Sequence, residues 1–285
     1  MPTNEMPTEF ETLLYEEADG VATVTLNRPE VYNAFNELMQ RELRALWIGL
    51  RTNDDVRCVV LTGAGDKAFC TGIDRAEAMG DGNAPVDSSK GGHGKEMIGY
   101  DDAWNFDDPG DWVGPKANGL WKPVIAAVNG MACGGAFYFL GEVEFVIAAE
   151  HATFFDPHVT FGMTAAYEPI HLLQKMPFQE IMRMALLGSA ERMSAGRARE
   201  IGLVSEVVPA DQLAETAMWA ARQIADCPGL VTMGTVKALW TGLELSRKQA
   251  LDLMYLFTNI GNDPDVMAEG QKRFSTGQRL EWRLR

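Results

Sequence analysis

The chain has 285 residues, of which 46% are hydrophobic and 23% charged, a balance typical of a globular protein with a sizeable core. Its net charge of −15 argues against a nucleic-acid surface, which needs a basic patch, but does not exclude a small anionic ligand held by local cations and helix N-termini. No apolar run approaches the ~18 residues of a membrane span, the N-terminus lacks an apolar signal core, and the four cysteines show no zinc spacing, so we expect a cytoplasmic protein without a metal site.

The first part of the chain alternates between strand and helix patterns. Residues 12–26 predict two strands joined by a tight turn, and residues 36–52 carry apolar side chains at helical spacing. Residues 58–61 predict a short buried strand. Residues 67–74 predict a second strand, which turns at Gly72 and then enters a helix. This is a strand–strand–helix order.

Residues 80–118 form a long segment rich in Gly, Asp, Asn and Pro, with Trp104, Phe106 and Trp112 interspersed. Loops of this length are uncommon inside compact domains and often act as lids or binding loops, so these aromatic residues are expected to cover a ligand. The segment also contains several acidic residues that could suggest a cation site but are better interpreted as a solvated loop: Asp101, Asp102, Asp107, Asp108 and Asp111.

The second part of the chain repeats the order seen in the first. Residues 123–128 predict a buried strand, residues 134–141 a helix, residues 144–149 another strand, and residues 151–161 a strand followed by a turn. Helical patterns dominate from about residue 178, interrupted by a last strand near 203–208. The fold class predicted is α/β, with repeated ββα units.

The predicted organisation has two parts. A core domain of ββα units spans residues 1–208, and a helical C-terminal region spans residues 209–285.

Two glycine turns share one local pattern: residues 70–74 (Cys-Thr-Gly-Ile-Asp) and residues 133–136 (Cys-Gly-Gly-Ala) each follow a strand and precede a helix. Backbone N–H groups at such turns are free to bind an anion, and two turns facing one point would form an oxyanion hole. Spacing alone favours two ordinary strand-to-helix turns, with the oxyanion hole as the alternative.

A series of short motifs occurs in a fixed order along most of the chain. They are Leu26-Asn-Arg-Pro29, Asn33-Ala34, Val59-Val-Leu-Thr-Gly63, Lys67-Ala-Phe69 with Gly72 and Asp74, Pro123-Val-Ile-Ala-Ala-Val-Asn-Gly130 with Gly134-Gly135, Ala152-Thr-Phe154, Leu186-Leu-Gly188, Gly202-Leu-Val204 and Glu269-Gly270. In number, order and spacing these motifs resemble the crotonase (enoyl-CoA hydratase/isomerase) superfamily.

The resemblance implies a crotonase-like ββα spiral core whose C-terminal helices build homotrimers, often paired into hexamers. It implies a coenzyme A thioester as substrate, with no permanently bound cofactor and no metal. The thioester carbonyl would be held by the N–H groups of Ile73 and Gly135, with Gly134 opening the second turn. Thr71 matches a position whose backbone contacts the adenine of coenzyme A. Arg28 would meet the coenzyme A tail, although ordinary surface charge is an equal alternative for such basic residues.

The chain departs from the family at its two catalytic glutamates, which activate water and move a proton. Their positions match Tyr138 and His158. A histidine base with a tyrosine donor is chemically coherent, because imidazole titrates near ~6.5 and a phenol near ~10. A core aromatic and a turn histidine are the structural alternatives. Glu168 is equally a third catalytic group or a helix-start carboxylate, and Asp156 would either orient the imidazole or cap the turn.

The resulting hypothesis is an enoyl-CoA hydratase/isomerase-like enzyme that acts on an acyl-CoA thioester through a stabilised enolate. A hydrolase of the same fold, cleaving a thioester or a β-diketone C–C bond, is the first alternative. A non-catalytic acyl-CoA binding protein is the second, since both glutamates are replaced. The length of the segment 80–118 favours a bulky or cyclic acyl group.

Overall fold

The structure is a computed structural model that describes residues 7, 9–79, 108–260, 263–276 and 282–285. Its strands are β1 (Leu13–Ala18), β2 (Val21–Leu26), β3 (Cys58–Gly63), β4 (Ala68–Cys70), β5 (Val124–Val128), β6 (Met131–Cys133), β7 (Phe145–Ala149), β8 (Thr153–Phe155), β9 (Met193–Ser194) and β10 (Glu206–Val208). Its helices are α1 (Glu37–Leu50), α2 (Arg75–Met79), α3 (Pro109–Val113), α4 (Ala136–Glu142), α5 (Tyr167–Leu172), α6 (Phe178–Leu187), α7 (Ala195–Glu200), α8 (Leu213–Ala225), α9 (Gly229–Leu243), α10 (Arg247–Ile260) and α11 (Pro264–Ser275).

The strands form two sheets. The larger sheet has the order β1-β2-β3-β5-β7-β10 and is parallel except for the hairpin pair β1–β2. The smaller sheet has the order β4-β6-β8-β9, in which β9 runs antiparallel to β8. This mixed α/β architecture has the ββα units that the sequence predicts.

The ββα unit occurs three times, and in each unit the first strand joins the larger sheet and the second joins the smaller one. Strands β3 and β4 lead into α2, strands β5 and β6 lead into α4, and strands β7 and β8 lead into a 3-10 turn and α5. Because β4, β6 and β8 are parallel neighbours, the segments that leave their carboxyl ends lie side by side. Ligand sites typically occupy this edge of a parallel sheet.

Local sequence explains the first elements. Asp19 and Gly20 both have positive φ (54° and 77°), the conformation that a tight hairpin turn requires, and they join β1 to β2 as predicted. The side chain of Asn36 accepts a hydrogen bond from the Met39 N–H at 3.0 Å and so begins α1.

The larger sheet is buried on both faces. Residues of one face, among them Val21, Val60 and Ile125, pack against the alanine-rich side of α8. Residues of the other face alternate with these and pack against α1 and α4, with Trp47 fully buried at the centre. Continuous apolar runs such as β3 and β5 follow from this double burial.

The predicted loop 80–118 is partly helical. Residues 109–113 form α3, which begins with a capping box: the Asp108 carboxylate accepts from the Gly110 N–H at 2.8 Å, and the Asp111 carboxylate accepts from the Asp108 N–H at 3.1 Å. Asp108 is only 8% exposed, so its assignment to a solvated loop was wrong. Trp112 lies on α3 with the Arg44 guanidinium 4.3 Å from its ring centroid.

Residues 80–107 lie outside the described residues. The predicted lid aromatics Trp104 and Phe106 are therefore not described, and neither are Asp101, Asp102 and Asp107.

Helices dominate the C-terminal part of the chain. Helix α8 packs on the larger sheet, and Trp240 of α9 donates from Nε1 to Glu144 Oε1 at 2.8 Å, which ties α9 to the core. The boundary at residue 208 stays a prediction. Among the described residues, no helix combines the length and apolar character needed to cross a membrane.

Candidate active site

The two glycine turns lie in direct contact at the carboxyl ends of β4 and β6. Gly72 has φ +84°, and a Cβ atom added to it would lie 2.6 Å from the Gly135 nitrogen. A Cβ atom on Gly135 would lie 2.7 Å from the Phe35 ring. Neither position has space for a side chain, and the first also has a left-handed backbone, so glycine is required at both.

Both predicted donors present a free N–H group. The Gly72 carbonyl accepts from the Phe35 N–H at 2.8 Å and the Asp74 N–H donates to the Phe35 carbonyl at 2.9 Å, so the intervening Ile73 N–H points away from Phe35. Within the described ranges, neither Ile73 nor Gly135 donates its N–H to any acceptor. Two unpaired donors at touching turns are the geometry of an oxyanion hole.

His158 follows β8 and is held by Asp156. The Asp156 Oδ1 atom accepts from the His158 backbone N–H at 3.0 Å and lies 2.6 Å from the His158 Nδ1 atom. Since a carboxylate only accepts, Nδ1 carries the proton. This hydrogen bond, rather than burial, dominates and raises the pKa of His158. Asp156 therefore both caps the turn and orients the imidazole.

The burial of Asp156 strengthens its effect on the pKa of His158. Its side chain is 0% exposed, and its Oδ2 atom has no hydrogen-bond partner among the residues that the structure describes. A buried carboxylate with so few donors strongly favours a positive charge on its neighbour. Asp156 thus stabilises the imidazolium form of His158.

Glu168 faces the other nitrogen of the same imidazole. Its Oε1 atom lies 3.3 Å from His158 Nε2, and the residue is only 5% exposed. Burial raises the pKa of the Glu168 carboxyl above its usual range. A carboxyl group with a raised pKa and the imidazole beside it form a pair between which a proton can move.

Tyr138 lies next to Glu168 and joins it to α3. The Tyr138 hydroxyl donates to Asp108 Oδ2 at 3.1 Å, and the residue as a whole is 2% exposed. Burial, together with the charges of Glu168 and Asp108, raises the pKa of Tyr138. The phenol is therefore neutral and acts as a hydrogen-bond donor. The His171 ring packs edge-on against it, with centroids 5.5 Å apart.

A row of polar groups thus runs from β8 to α3: Asp156, His158, Glu168, Tyr138 and Asp108. His158 also lies beside the glycine turn, because a Cβ atom on Gly134 would be 3.7 Å from its Cε1 atom. The structure brings Tyr138, His158 and Glu168 together next to the turn of Gly134 and Gly135. Their catalytic roles stay predictions.

The ligand atoms of Asp156, His158 and Glu168 lie within 4.8 Å of one another, a spacing that also suits a small cation. The two carboxylates, however, meet opposite nitrogens of the imidazole ring. Contacts at both ring nitrogens also suit proton transfer through the imidazole, which is the role proposed below.

Arg28 and Thr71 lie close to the first glycine turn and have partners within the chain. The Arg28 guanidinium pairs with Asp74 Oδ2 at 2.9 Å and donates to the Ala34 carbonyl at 2.7 Å. The Thr71 hydroxyl donates to the Tyr32 carbonyl at 3.4 Å. These contacts fix the turn, and the predicted contacts with coenzyme A stay predictions.

Asp108 is the residue of this site that the sequence analysis missed. The sequence Asp108-Pro-Gly-Asp111 carries a recognisable signal, because an N-cap residue, a proline at the first helical position and an acidic residue at the third begin many helices. Its contact with Tyr138 spans 30 residues and has no local signal.

Comparisons with known proteins agree with this architecture. A family model described as enoyl-CoA hydratase/isomerase matches residues 16–284. The (E)-benzylidenesuccinyl-CoA hydratase of Thauera aromatica is 32% identical over 260 residues, which cover 91% of this chain and 94% of the relative. The 1,2-epoxyphenylacetyl-CoA isomerase of Escherichia coli is 36% identical over 248 residues, 84% of this chain and 88% of the relative.

Solved structures give the same result. An enoyl-CoA hydratase/isomerase from Mycobacterium paratuberculosis superposes with a TM-score of 0.82 at 36% identity, covering 97% of this chain and 100% of that one. The fold, with its paired glycine turns, is that of the crotonase superfamily. The chain belongs to the enoyl-CoA hydratase/isomerase family and is an enzyme of that family.

Proposed function

We propose that this enzyme acts on an enoyl-CoA thioester with a His158–Glu168 pair performing the proton transfers that two glutamates perform elsewhere in the family. The observation that carries the proposal is the 3.3 Å contact between His158 Nε2 and Glu168 Oε1, beside two turns with unpaired N–H groups. Both groups have raised pKa values, so the pair keeps its proton to a higher pH than the two free side chains would.

The thioester carbonyl would accept hydrogen bonds from the N–H groups of Ile73 and Gly135. Negative charge develops on this oxygen when an enolate forms, and preorganised backbone donors stabilise it without reorganising. The tail of coenzyme A would then extend past Thr71 and Arg28, as the resemblance to the family implies. Neither backbone donor depends on the identity of its side chain.

The chemical step we propose is the addition of water across the α,β double bond. His158 Nε2 takes a proton from water, the water oxygen bonds to the β-carbon, and the π electrons move onto the thioester oxygen. Glu168 then donates its proton to the α-carbon as the enolate collapses. Finally the imidazolium returns a proton to the Glu168 carboxylate across the 3.3 Å gap, which restores both groups.

Tyr138 supports this pair as a neutral hydrogen-bond donor. Its raised pKa excludes a role as a base near neutral pH, and its burial leaves its hydroxyl facing carboxylates. We therefore assign the proton transfers to His158 and Glu168 and a supporting role to Tyr138.

The acyl group we propose is bulky and carries an aryl ring. Two similar enzymes act, by their names, on acyl groups with a phenyl ring: benzylidenesuccinyl-CoA and 1,2-epoxyphenylacetyl-CoA. The length of the segment 80–118 supports the same proposal, because segments of this length between strands are often binding loops.

The test is a product analysis with a small substrate panel. Crotonyl-CoA and cinnamoyl-CoA are incubated with the enzyme in ¹⁸O-labelled water, and products are identified by mass spectrometry. We expect labelled 3-hydroxyacyl-CoA, formed faster from the aryl substrate. Labelled free acid with released coenzyme A would instead support a hydrolase, and tight binding without turnover of any thioester would contradict enzymatic hydration.

A further inference from the structure

Asp108 uses its two carboxylate oxygens for different purposes. Its Oδ1 atom accepts from the Gly110 N–H at 2.8 Å and caps α3. Its Oδ2 atom accepts from the Tyr138 hydroxyl at 3.1 Å. The helix cap therefore fixes the carboxylate so that one oxygen always faces the tyrosine.

The Tyr138 hydroxyl lies between two carboxyl groups. Both Asp108 and Glu168 affect it by hydrogen bonding and by charge. A phenol has a single proton, so it can donate to only one of them at a time. Donation to a carboxylate stabilises its ionised form and makes it a weaker acid partner in proton transfer.

We propose that Asp108 is a positioning residue: it accepts the hydrogen bond of the Tyr138 hydroxyl and thereby keeps that hydroxyl from donating to Glu168, so that Glu168 retains the proton it delivers to the α-carbon. This inference rests on the proposed function, because only that reaction requires a protonated Glu168. Asp108 itself touches no reacting atom and acts through Tyr138.

The ionisation of Asp108 sets the direction of this hydrogen bond. Burial is the main reason that the pKa of Asp108 is raised, to about 6 in all; the Gly110 N–H and Tyr138 on α4 lower it, and the charges of Glu168 on α5 and Asp111 on α3 raise it. Above this pH Asp108 is ionised and accepts from Tyr138. Below it, protonated Asp108 donates to the phenol oxygen, the phenol donates to Glu168, and Glu168 loses its proton more easily.

The decisive variant is Asp108→Asn. The Gly110 N–H still needs an acceptor, so the amide oxygen takes the Oδ1 position and the NH₂ group faces Tyr138. The hydrogen bond is kept but reversed, and the Tyr138 hydroxyl must donate to Glu168. The matched control is Asp111→Asn, which removes one charge from the same capping box without touching Tyr138.

Two readouts separate positioning from stability. The first is kcat as a function of pH with an enoyl-CoA substrate. The second is the NMR titration of the histidine side chains in the free protein, which is tractable because the chain has only 4. A His158→Gln spectrum assigns the His158 signal.

For Asp108→Asn we expect kcat near neutral pH to fall about tenfold, with KM nearly unchanged. The His158 midpoint should rise by about one pH unit, because an ionised Glu168 stabilises the imidazolium. Loss of the Asp108 charge by itself would act without Tyr138, so the rise should be absent when Asp108→Asn is made in a Tyr138→Phe background. Asp111→Asn should leave the titration midpoint of His158 unchanged. It should lower only the midpoint of His171, because the charge of Asp111 raises the pKa of His171.

An unchanged or lowered His158 midpoint in Asp108→Asn would overturn the inference, as would an equal loss of kcat in Asp111→Asn. If the wild-type protein hydrates no thioester but Asp108→Asn still raises the His158 midpoint, the proposed function fails while the assigned direction of the hydrogen bond is supported.

Discussion

Gly72 combines a left-handed backbone with close contact to a second main-chain segment. Its φ of +84° disfavours any L side chain, and a Cβ atom would lie 2.6 Å from the Gly135 nitrogen. The same residue therefore shapes the turn of Ile73 and leaves the Gly135 N–H uncovered, which are the two donors of the proposed oxyanion hole. We therefore expect activity to depend on the absence of a Cβ atom at residue 72.

We expect Gly72→Ala to abolish most activity, with kcat falling about 100-fold or more, because the new methyl group covers the Gly135 N–H. The control is Gly65→Ala, which has φ +77° and meets only Pro29 Cβ at 3.5 Å. Gly65→Ala should lose roughly 1–2 kcal/mol of folding free energy from backbone strain, and Gly72→Ala should lose more, because its methyl group also overlaps the Gly135 backbone. Equal activity in the two variants, measured by steady-state kinetics and denaturant unfolding, would contradict the role of the turn.

In the proposed mechanism, Asp156 sets the pH range in which His158 acts as a base. Since the hydrogen bond to Asp156 raises the pKa of His158, kcat/KM should fall as the pH is lowered through a value above the usual ~6.5. Asp156→Asn removes this effect, so the acid limb of the kcat/KM profile should move to lower pH. A limb that stays in place would show that His158 is not the titrating base.

Helix α3 brings Asp108 to Tyr138, which lies 30 residues later in the chain, and is itself held by α1. Trp47 of α1 donates from Nε1 to the Val113 carbonyl at 2.8 Å and is fully buried, so it ties the end of α3 to the core. Through this contact, Asp108 at the other end of α3 is held against α4. The capping box and the tryptophan together fix a helix of only five residues.

We expect Trp47→Phe to lower the free energy of unfolding by roughly 2 kcal/mol, because it leaves a buried carbonyl without its donor and opens a small cavity. Trp282→Phe is the control, since Trp282 is 82% exposed and should change stability by less than about 0.5 kcal/mol. Chemical denaturation of both variants measures the difference. Similar losses would show that the Trp47 hydrogen bond does not stabilise α3.

The elements that could be predicted from the sequence are those with local signals. The hairpin at Asp19-Gly20, the cap at Asn36 and the two glycine turns follow from turn and cap chemistry. The strand β6 (Met131–Cys133) is too short for a periodic pattern and exists because it pairs with β4 and β8. The contacts of Glu168 with His158 and of Asp108 with Tyr138 depend on packing between helices, which no local pattern encodes.

At the scale of the whole molecule, the C-terminal helices expose large apolar side chains in the single chain. Exposed members on α9 and α10 include Leu239, Leu251, Tyr255 and Leu256. Such a surface marks a protein–protein contact more often than a solvated face. We therefore retain the proposal of a homotrimer or hexamer.

We expect Leu256→Asp to yield smaller particles than the wild-type protein in analytical ultracentrifugation, because a charge cannot be buried in an apolar contact without cost. Asn259→Asp adds the same charge to another exposed position of α10 and should leave the assembly intact. A wild-type protein that sediments as a single chain would contradict the proposed oligomer.

The His158→Gln variant, assayed for both turnover and binding, tests most directly whether His158 is the general base. Glutamine places a polar group near the Nε2 position but cannot take up a proton. We expect kcat for hydration of an aryl enoyl-CoA to fall at least about 100-fold, in line with the loss of a general base, while the affinity for a non-reactive acyl-CoA measured by calorimetry changes less than about threefold. A variant that binds the thioester and keeps its kcat would show that His158 is not the base.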